Sequence, residues 1–149
     1  VARGVYEGGG KITGVAPTFF DVDGVLFQNC TEMIATETMR ERKRIMEDRA
    51  DAFVIVPGGV GTFDEFFEIL TLKQLKRHNK AMVIFNFKNY YSAMAAMMEK
   101  AVEEGFVAPG CLNLYEVLDS PSDVLDYIEG YKPKNLNIND VKYIAEEEK

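Results

Sequence analysis

A glycine-rich segment that follows an apolar run has the composition of an anion-binding turn. The run Phe53–Val56 leads into Pro57, and three of the next four residues are Gly58, Gly59 and Gly61. Glycine permits backbone angles that other residues resist, and it lets a ligand approach the main chain. The first amides of the helix predicted to follow, together with its dipole, favour a bound anion. The sequence therefore predicts a phosphate site at the carboxyl end of a strand, where open α/β sheets bind ligands.

The spacing of these glycines excludes two common phosphate-binding motifs. No Gly-Lys-Ser or Gly-Lys-Thr follows them, so the segment is not a P-loop with its magnesium chemistry. It is not a Gly-x-Gly-x-x-Gly fingerprint either, and no acidic residue stands at a strand end about 20 positions later to bind a ribose. The alternative is a tight turn without a ligand, for which two glycines usually suffice.

Thr62 and Glu65 have two interpretations. Thr-x-x-Glu is the pattern of a capping box, in which each side chain accepts a hydrogen bond from the other residue's amide. Catalysis is equally well supported, because Glu65 lies four and seven residues before Ile69 and Leu72 on a partly apolar helix face. A carboxylate beside a bound sugar phosphate could serve its chemistry, so both roles stay open.

A basic segment contains an arginine that is predicted to face inward. Arg42 lies three residues after Met39 and four before Met46, which places it on the apolar stripe of a helix, whereas Arg40 and Arg44 face solvent. A cation on a buried face needs an anionic partner. That partner is either an internal carboxylate or the phosphate of a ligand, and the neighbouring glycine turn favours the ligand.

A competing motif lies near the amino terminus. The segment 19–27 is similar to the opening motif of haloacid-dehalogenase-type phosphatases, in which the first aspartate is a nucleophile. That activity also needs an acidic pair further along to hold magnesium, and no such pair follows a strand here. Because Pro17 also breaks the preceding strand, we interpret Asp21–Gly24 as a turn.

The single histidine has an ordinary structural explanation. His78 stands at a predicted helix end, where a positive charge or a hydrogen bond to a carbonyl is favourable. Together with the two distant cysteines, Cys30 and Cys111, it cannot form a zinc site, so we predict no metal.

Apolar runs that alternate with helical runs must position these groups. Such alternation indicates βα units and a parallel sheet that is covered on both faces. The first residues carry the periodicity of a helix that ends at Gly8–Gly10, so we expect that the strand before it is absent from this chain. Predicted strands cover residues 11–15, 52–56, 81–85 and 114–118, and further predicted helices cover 32–49, 63–77, 90–104 and 120–128.

Composition restricts the partners and the location. The 149 residues carry a formal charge of −7, with 17 Lys and Arg against 24 Asp and Glu, which argues against binding a nucleic acid polymer. No run of 18 apolar residues is present, so we expect no membrane span. Two cysteines cannot form a disulfide framework, which indicates a reducing, cytoplasmic setting.

Four segments together resemble the LONELY GUY family of cytokinin riboside 5′-monophosphate phosphoribohydrolases, formerly labelled possible lysine decarboxylases. The similarity covers residues 1–130. The segments are 39–46 with the pair Arg42-Lys43, 50–53 reading Ala-Asp-Ala-Phe, 57–65 reading Pro-Gly-Gly-Val-Gly-Thr-Phe-Asp-Glu, and 71–75 reading Thr-Leu-Lys-Gln-Leu.

This resemblance implies a fold, an assembly and a set of site residues. The fold is a Rossmann-like, doubly wound parallel sheet in one domain over residues 1–130, followed by a tail at 131–149 that packs loosely. The assembly is a homodimer with the active site near the subunit contact. Arg42 and Glu65 correspond to the catalytic pair, and substrate-binding positions are Lys43, Gly58, Gly59, Val60, Gly61, Thr62 and Thr71.

Two features depart from the family pattern. The family's first glycine motif belongs upstream of Val1, and Gly8–Gly10 is not that motif. Leu72 stands where an aromatic residue is usual, which bears on the specificity for the base.

The predicted reaction is hydrolysis of the N-glycosidic bond of a cytokinin nucleoside 5′-monophosphate or AMP, which releases the free base and ribose 5-phosphate. Glu65 would either stabilise an oxocarbenium-like transition state or orient the attacking water. Arg42 would orient either Glu65 or the phosphate. The reaction requires no cofactor. A pyridoxal-phosphate decarboxylase is disfavoured, because no lysine stands out as a Schiff-base candidate. The alternative is a non-catalytic nucleotide or molybdenum-cofactor carrier with the same fold.

Overall fold

The computed structural model describes residues 1–20, 26–133 and 141, which fall into two compact units, 1–50 and 51–149. Each unit contains parallel strands and α-helices. The predicted α/β class with parallel strands is therefore confirmed. The competing phosphatase motif at Asp21–Gly24 lies outside the described residues.

The first unit is a two-stranded parallel sheet with helices. Strands β1 and β2 pair in parallel, with Thr13 opposite Glu32 and Pro17 opposite Thr36. Helix α2 packs against both strands. Its last turn is joined to the start of β2, because Arg49 donates to Glu32 at 2.7 Å. The elements are α1 (Ala2–Glu7), β1 (Thr13–Pro17), β2 (Glu32–Thr36) and α2 (Met39–Arg49).

The prediction of one helix over 32–49 was wrong in its first third. Residues 32–36 form a strand, and the helix begins at Met39 because Thr38 caps it. The Thr38 hydroxyl accepts from the amide of Glu41 at 3.1 Å, and the Glu41 carboxylate accepts from the amide of Glu37 at 2.9 Å. This is a helix-starting Thr-x-x-Glu sequence, and the prediction had continued the helix through it.

The second unit is a three-stranded parallel sheet in the order β3-β4-β5. Helices α3 and α4 join its successive strands. The predicted strand 81–85 is confirmed at both ends, and the other predicted elements of this unit are confirmed with ends shifted by three residues or fewer. The elements are β3 (Ala52–Ile55), α3 (Val60–Gln74), β4 (Ala81–Phe85), α4 (Ser92–Glu103), β5 (Glu116–Leu118) and α5 (Pro121–Gly130).

Strand β4 is the centre of the core of this unit. It is paired on both sides, and its residues 81–84 are all buried, which explains why its sequence is continuously apolar. The edge strand β3 instead alternates at its end, with Ile55 buried and Val54 exposed. Phe66 and Leu70 of α3, Met98 of α4 and the buried Tyr115 complete the same core cluster.

Two described residues of the predicted tail contact the rest of the second unit. The Tyr131 hydroxyl donates to the side chain of Asn79 at 3.2 Å. Val141 is fully buried in the core, and the side-chain amide of Gln74 donates to its carbonyl. Within residues 1–20, 26–133 and 141, no helix is both long and apolar enough to cross a membrane.

Buried tyrosines make the stability of this unit depend on alkaline pH. Burial raises the pKa of Tyr115 from 10.0 to about 12. Above pH 10 the unfolded chain loses this proton while the folded chain keeps it, so the free energy of unfolding falls as the pH rises from about 10 to about 12. Denaturant titrations across that range should show the decline, and Tyr115→Phe should make it shallower. A decline of the same steepness in the variant would contradict this assignment.

Candidate functional site

The glycine turn joins the carboxyl end of β3 to the start of α3. Strand β3 ends at Ile55, and Gly59 is the N-cap of the helix that begins at Val60. The connection is therefore four residues long, and it lies at the strand end where the sequence placed it. Such a position directs the first amides of the helix toward the edge of the sheet where α/β proteins bind ligands.

Of the two interpretations of Thr62 and Glu65, the capping box does not hold, because Gly59 and not Thr62 is the N-cap of α3. Thr62 is the third residue of α3, and its own amide donates to the carbonyl of Gly59 at 3.0 Å. The helix begins earlier than Thr62 because glycine is accepted at an N-cap. The start of α3 therefore does not depend on a capping box between Thr62 and Glu65.

The surroundings of Gly58 differ from those of the other two glycines of the turn. None of the three has a positive φ, since the described glycines with positive φ are Gly9 and Gly105. At Gly58 a Cβ atom would lie 2.2 Å from the Thr62 hydroxyl, so Thr62 would have to shift to accept a side chain there. At Gly59 and Gly61 a Cβ would meet nothing within 4 Å, so there is open space beside the Cα atom of each.

The amides at the start of α3 are suited to an anion. The first amides of any helix lack acceptors within it, and the N-cap of α3 is Gly59, which has no side chain to accept from them. Gly59, Val60 and Gly61 are exposed, and the Val60 side chain is 81% exposed. The positive end of the helix dipole lies at the same place, which adds a favourable field for a phosphate.

Two consecutive tyrosines hold this turn from the segment after β4. The Tyr90 hydroxyl donates to the carbonyl of Gly58 at 2.6 Å, and the Tyr91 hydroxyl donates to the carbonyl of Val56 at 2.7 Å. Burial raises the pKa of Tyr91, Tyr90 adds to this effect, and a hydrogen bond from the Gly58 amide opposes it. The sequence analysis missed both residues, although two tyrosines shortly after a buried strand were the available signal.

Glu65 and Thr71 lie on the same helix at different distances from the turn. Glu65 is half-buried and lies four residues after Gly61, so both occupy one face of α3 within one turn of each other. Thr71 is ten residues after Gly61, about 15 Å further along the axis. Its hydroxyl donates to the carbonyl of Phe67 at 2.7 Å. The structure thus brings Glu65 to the glycine turn and leaves Thr71 away from it.

Arg42 and Lys43 belong to the first unit. Arg42 is half-buried while Arg40 and Arg44 are exposed, as predicted, but Met39 and Met46, which were predicted to share the inward face, are exposed. The Arg42 Nε donates to the carbonyl of Val15 in β1 at 3.1 Å, so a backbone carbonyl holds part of the guanidinium. Lys43 is also half-buried on the same helix.

The far end of α3 contains a buried cation that the sequence analysis did not identify. Lys73 is 2% exposed, its Nζ donates to the carbonyl of Lys80 at 2.8 Å, and it lies 5.0 Å from the centre of the Tyr131 ring. The signal was its spacing, because Phe66, Leu70 and Lys73 follow the buried stripe of the helix.

His78 behaves as predicted. Its Nε2 lies 2.9 Å from the carbonyl of Ile69, and its Nδ1 accepts from the amide of Lys80. His78 is thereby a helix-end residue with a carbonyl partner. Among the described residues, no group of three or more His, Cys, Asp or Glu side chains is arranged to hold a metal ion.

Comparison with known proteins gives one family. The family described as "Possible lysine decarboxylase" matches residues 1–128. The rice protein "Probable cytokinin riboside 5'-monophosphate phosphoribohydrolase LOGL5" (Oryza sativa subsp. japonica) is 36% identical over 133 residues, which cover 89% of this chain and 54% of the relative.

A second plant gives similar results. The protein "Cytokinin riboside 5'-monophosphate phosphoribohydrolase LOG2" of Arabidopsis thaliana is 32% identical over 135 residues, or 91% of this chain and 63% of the relative. The chain therefore spans between about half and two thirds of the length of these relatives.

Removal of the Tyr91 hydroxyl tests how the turn is held. Tyr91 is 1% exposed, so Tyr91→Phe leaves the Val56 carbonyl without its donor. The loss of one such partner costs about 1–3 kcal/mol, which lowers the melting temperature by roughly 2–12 °C in a protein of this size. Calorimetry measures the shift, and Tyr131→Phe, whose hydroxyl bond is exposed, is the control with the smaller effect. Equal shifts in the two variants would contradict the role assigned to Tyr91.

Proposed function

Since the chain belongs to the family described as possible lysine decarboxylase, we propose that it hydrolyses the N-glycosidic bond of a nucleoside 5′-monophosphate. The similar plant proteins carry phosphoribohydrolase names, which agrees with the resemblance of the sequence motifs to the LONELY GUY family. The products would be a free base and ribose 5-phosphate. A cytokinin riboside monophosphate and AMP are the two substrates to compare.

The observation that carries this proposal is the open glycine turn with a carboxylate one helical turn away. The amides of Gly59, Val60 and Gly61 would bind the 5′-phosphate in the open space that the missing side chains leave. Binding energy from the phosphate would then hold the ribose in a fixed position. Glu65 lies on the same face of α3 as Gly61, so a sugar attached to that phosphate would come near its carboxylate.

The proposed chemistry requires stabilisation of positive charge at the sugar. The bond between C1′ and the base nitrogen breaks, its electron pair leaves with the base, and the oxygen of a water molecule bonds to C1′. The water gives up one proton and the departing base takes one up. The transition state has oxocarbenium character, which a carboxylate stabilises. Glu65 would supply that charge or orient the water, and Arg42 would act as its catalytic partner or contact the phosphate.

The direct test is release of the base. The protein is incubated with AMP and with isopentenyladenosine monophosphate, and the free base is measured by chromatography. Glu65→Gln keeps the shape of the side chain and removes its charge, so we expect a fall in kcat of about 10²- to 10⁴-fold. Glu68→Gln, an exposed residue on the same helix, is the matched control and should keep normal turnover. Binding of the nucleotide without release of base would instead indicate a carrier protein.

Alanine substitutions in the turn separate ligand binding from folding. Gly61→Ala adds a Cβ that meets nothing within 4 Å, so the free energy of unfolding should stay the same or rise by up to about 1 kcal/mol. The same methyl group would occupy the space proposed for the phosphate, so KM for the nucleotide should rise roughly 10- to 100-fold. Gly58→Ala places its Cβ 2.2 Å from the Thr62 hydroxyl and should cost about 1–3 kcal/mol of stability. Thermal melts and kinetics measure the two effects. A normal KM in Gly61→Ala would contradict phosphate binding at this turn.

A further inference from the structure

Tyr90 contacts the glycine turn although it is distant in sequence and largely exposed. Its hydroxyl lies 2.6 Å from the carbonyl oxygen of Gly58, 32 residues earlier in the chain. The Tyr90 side chain is 51% exposed, so core burial does not account for its position. The specific feature of Tyr90 is therefore this hydrogen bond at the edge of the proposed phosphate site.

The hydrogen bond fixes the direction of one amide. The carbonyl of Gly58 and the N–H of Gly59 belong to one planar, trans peptide group, in which they point in opposite directions. A donor that holds the Gly58 carbonyl toward Tyr90 therefore holds the Gly59 N–H away from Tyr90. Gly59 is exposed and is the N-cap of α3, so its N–H is one of the amides proposed to bind the phosphate.

Tyr91 makes a similar bond with a different consequence. Its hydroxyl holds the carbonyl of Val56, and the next residue is Pro57, which has no N–H to direct. The Tyr91 contact therefore anchors the end of the strand, whereas the Tyr90 contact orients a donor. The two adjacent tyrosines thus have separable effects.

The segment that delivers Tyr90 adopts costly backbone conformations. Lys88 and Asn89 both have φ in the left-handed region, at 52° and 61°, although neither is glycine. Asn86 holds the segment through two hydrogen bonds. Its side-chain Oδ1 accepts from the backbone N–H of Tyr91 at 2.7 Å, and its own backbone N–H donates to the carbonyl of Leu118 at 2.7 Å. Left-handed non-glycine residues persist where the surrounding contacts determine them, and they cluster at ligand sites.

We infer that Tyr90 is a positioning residue, whose hydroxyl orients the Gly58–Gly59 peptide so that the Gly59 amide faces the 5′-phosphate of the bound nucleotide. This inference rests on the proposed function for the identity of the anion. Tyr90 acts through the peptide and supplies no proton or charge to the reaction. Its removal should therefore weaken binding of the phosphate and leave the step at C1′ unchanged.

The test uses Tyr90→Phe, which removes one oxygen atom and leaves the ring. Binding of the two products is measured by titration calorimetry, because ribose 5-phosphate carries the phosphate and adenine does not. We expect the Kd for ribose 5-phosphate to rise roughly 10- to 150-fold, which is the range for one hydrogen bond to a charged group. The Kd for adenine should change less than about twofold, and KM for AMP should rise with little change in kcat. Tyr131→Phe, which loses its hydroxyl bond to Asn79, should leave all four values unchanged.

Three other outcomes would overturn the inference. An unchanged Kd for ribose 5-phosphate in Tyr90→Phe would show that the peptide is held without this hydroxyl. Equal weakening for both products would indicate a general disturbance of the unit. A wild-type chain that binds no ribose 5-phosphate would remove the anion site itself. If the wild-type chain binds ribose 5-phosphate, Tyr90→Phe weakens it and no base is released from AMP, the proposed reaction fails and the role of Tyr90 stands.

Discussion

The geometry of the candidate site depends on the close approach of Thr62 to Gly58. A Cβ at Gly58 would lie 2.2 Å from the Thr62 hydroxyl, so the first turn of α3 can fold over the strand exit because that position has no side chain. The helix then begins at Val60, directly after the short connection from β3. An additional atom at Gly58 would require Thr62, in the first turn of α3, to shift. The close packing of the strand exit against the start of the helix therefore depends on this glycine.

Polar contacts hold that geometry from the neighbouring strand. Hydroxyls from consecutive tyrosines bind the carbonyls of Val56 and Gly58, on either side of Pro57. A buried or half-buried carbonyl strongly favours a partner, because its loss leaves a desolvated acceptor. The turn is thus connected to β4 as well as to β3. The arrangement resembles preorganised sites generally, in which donors are directed before the ligand arrives.

Much of the second unit could be predicted from the sequence, because its signals are local and strong. The continuous apolar run at 81–85 is typical of a central strand, and Ser120 followed by Pro121 marks the start of α5, where the Ser120 hydroxyl accepts from the amide of Asp123. Local signals also led to wrong interpretations of where helices α2 and α3 begin. Thr-x-x-Glu occurs at Thr38 and again at Thr62, and only the first caps a helix, because at the second Gly59 has already started it.

The contacts of the site between distant residues could not be predicted in the same way. The glycine turn and Glu65 are adjacent in sequence, so their proximity follows from the helical period. Tyr90 and Gly58 are 32 residues apart, and only the pairing of β3 with β4 brings them together. The roles of the individual glycines could not be predicted either, because a sequence pattern does not show which neighbouring atoms a Cβ at each position would meet. The buried position of Lys73 followed from helical spacing, but its carbonyl and ring partners did not.

The contacts of Lys73 have a mechanical consequence for the whole of α3. Its ammonium group holds the carbonyl of Lys80, one residue before β4 begins, while the other end of the helix is fixed by the turn after β3. Helix α3 is therefore held at both ends, by the turn after β3 and by the hydrogen bond to the residue before β4. A shift of α3 caused by binding at its Val60 end would also disturb the contact between Lys73 and the carbonyl of Lys80. This contact therefore couples the first turn of the helix to the most deeply buried strand of the unit.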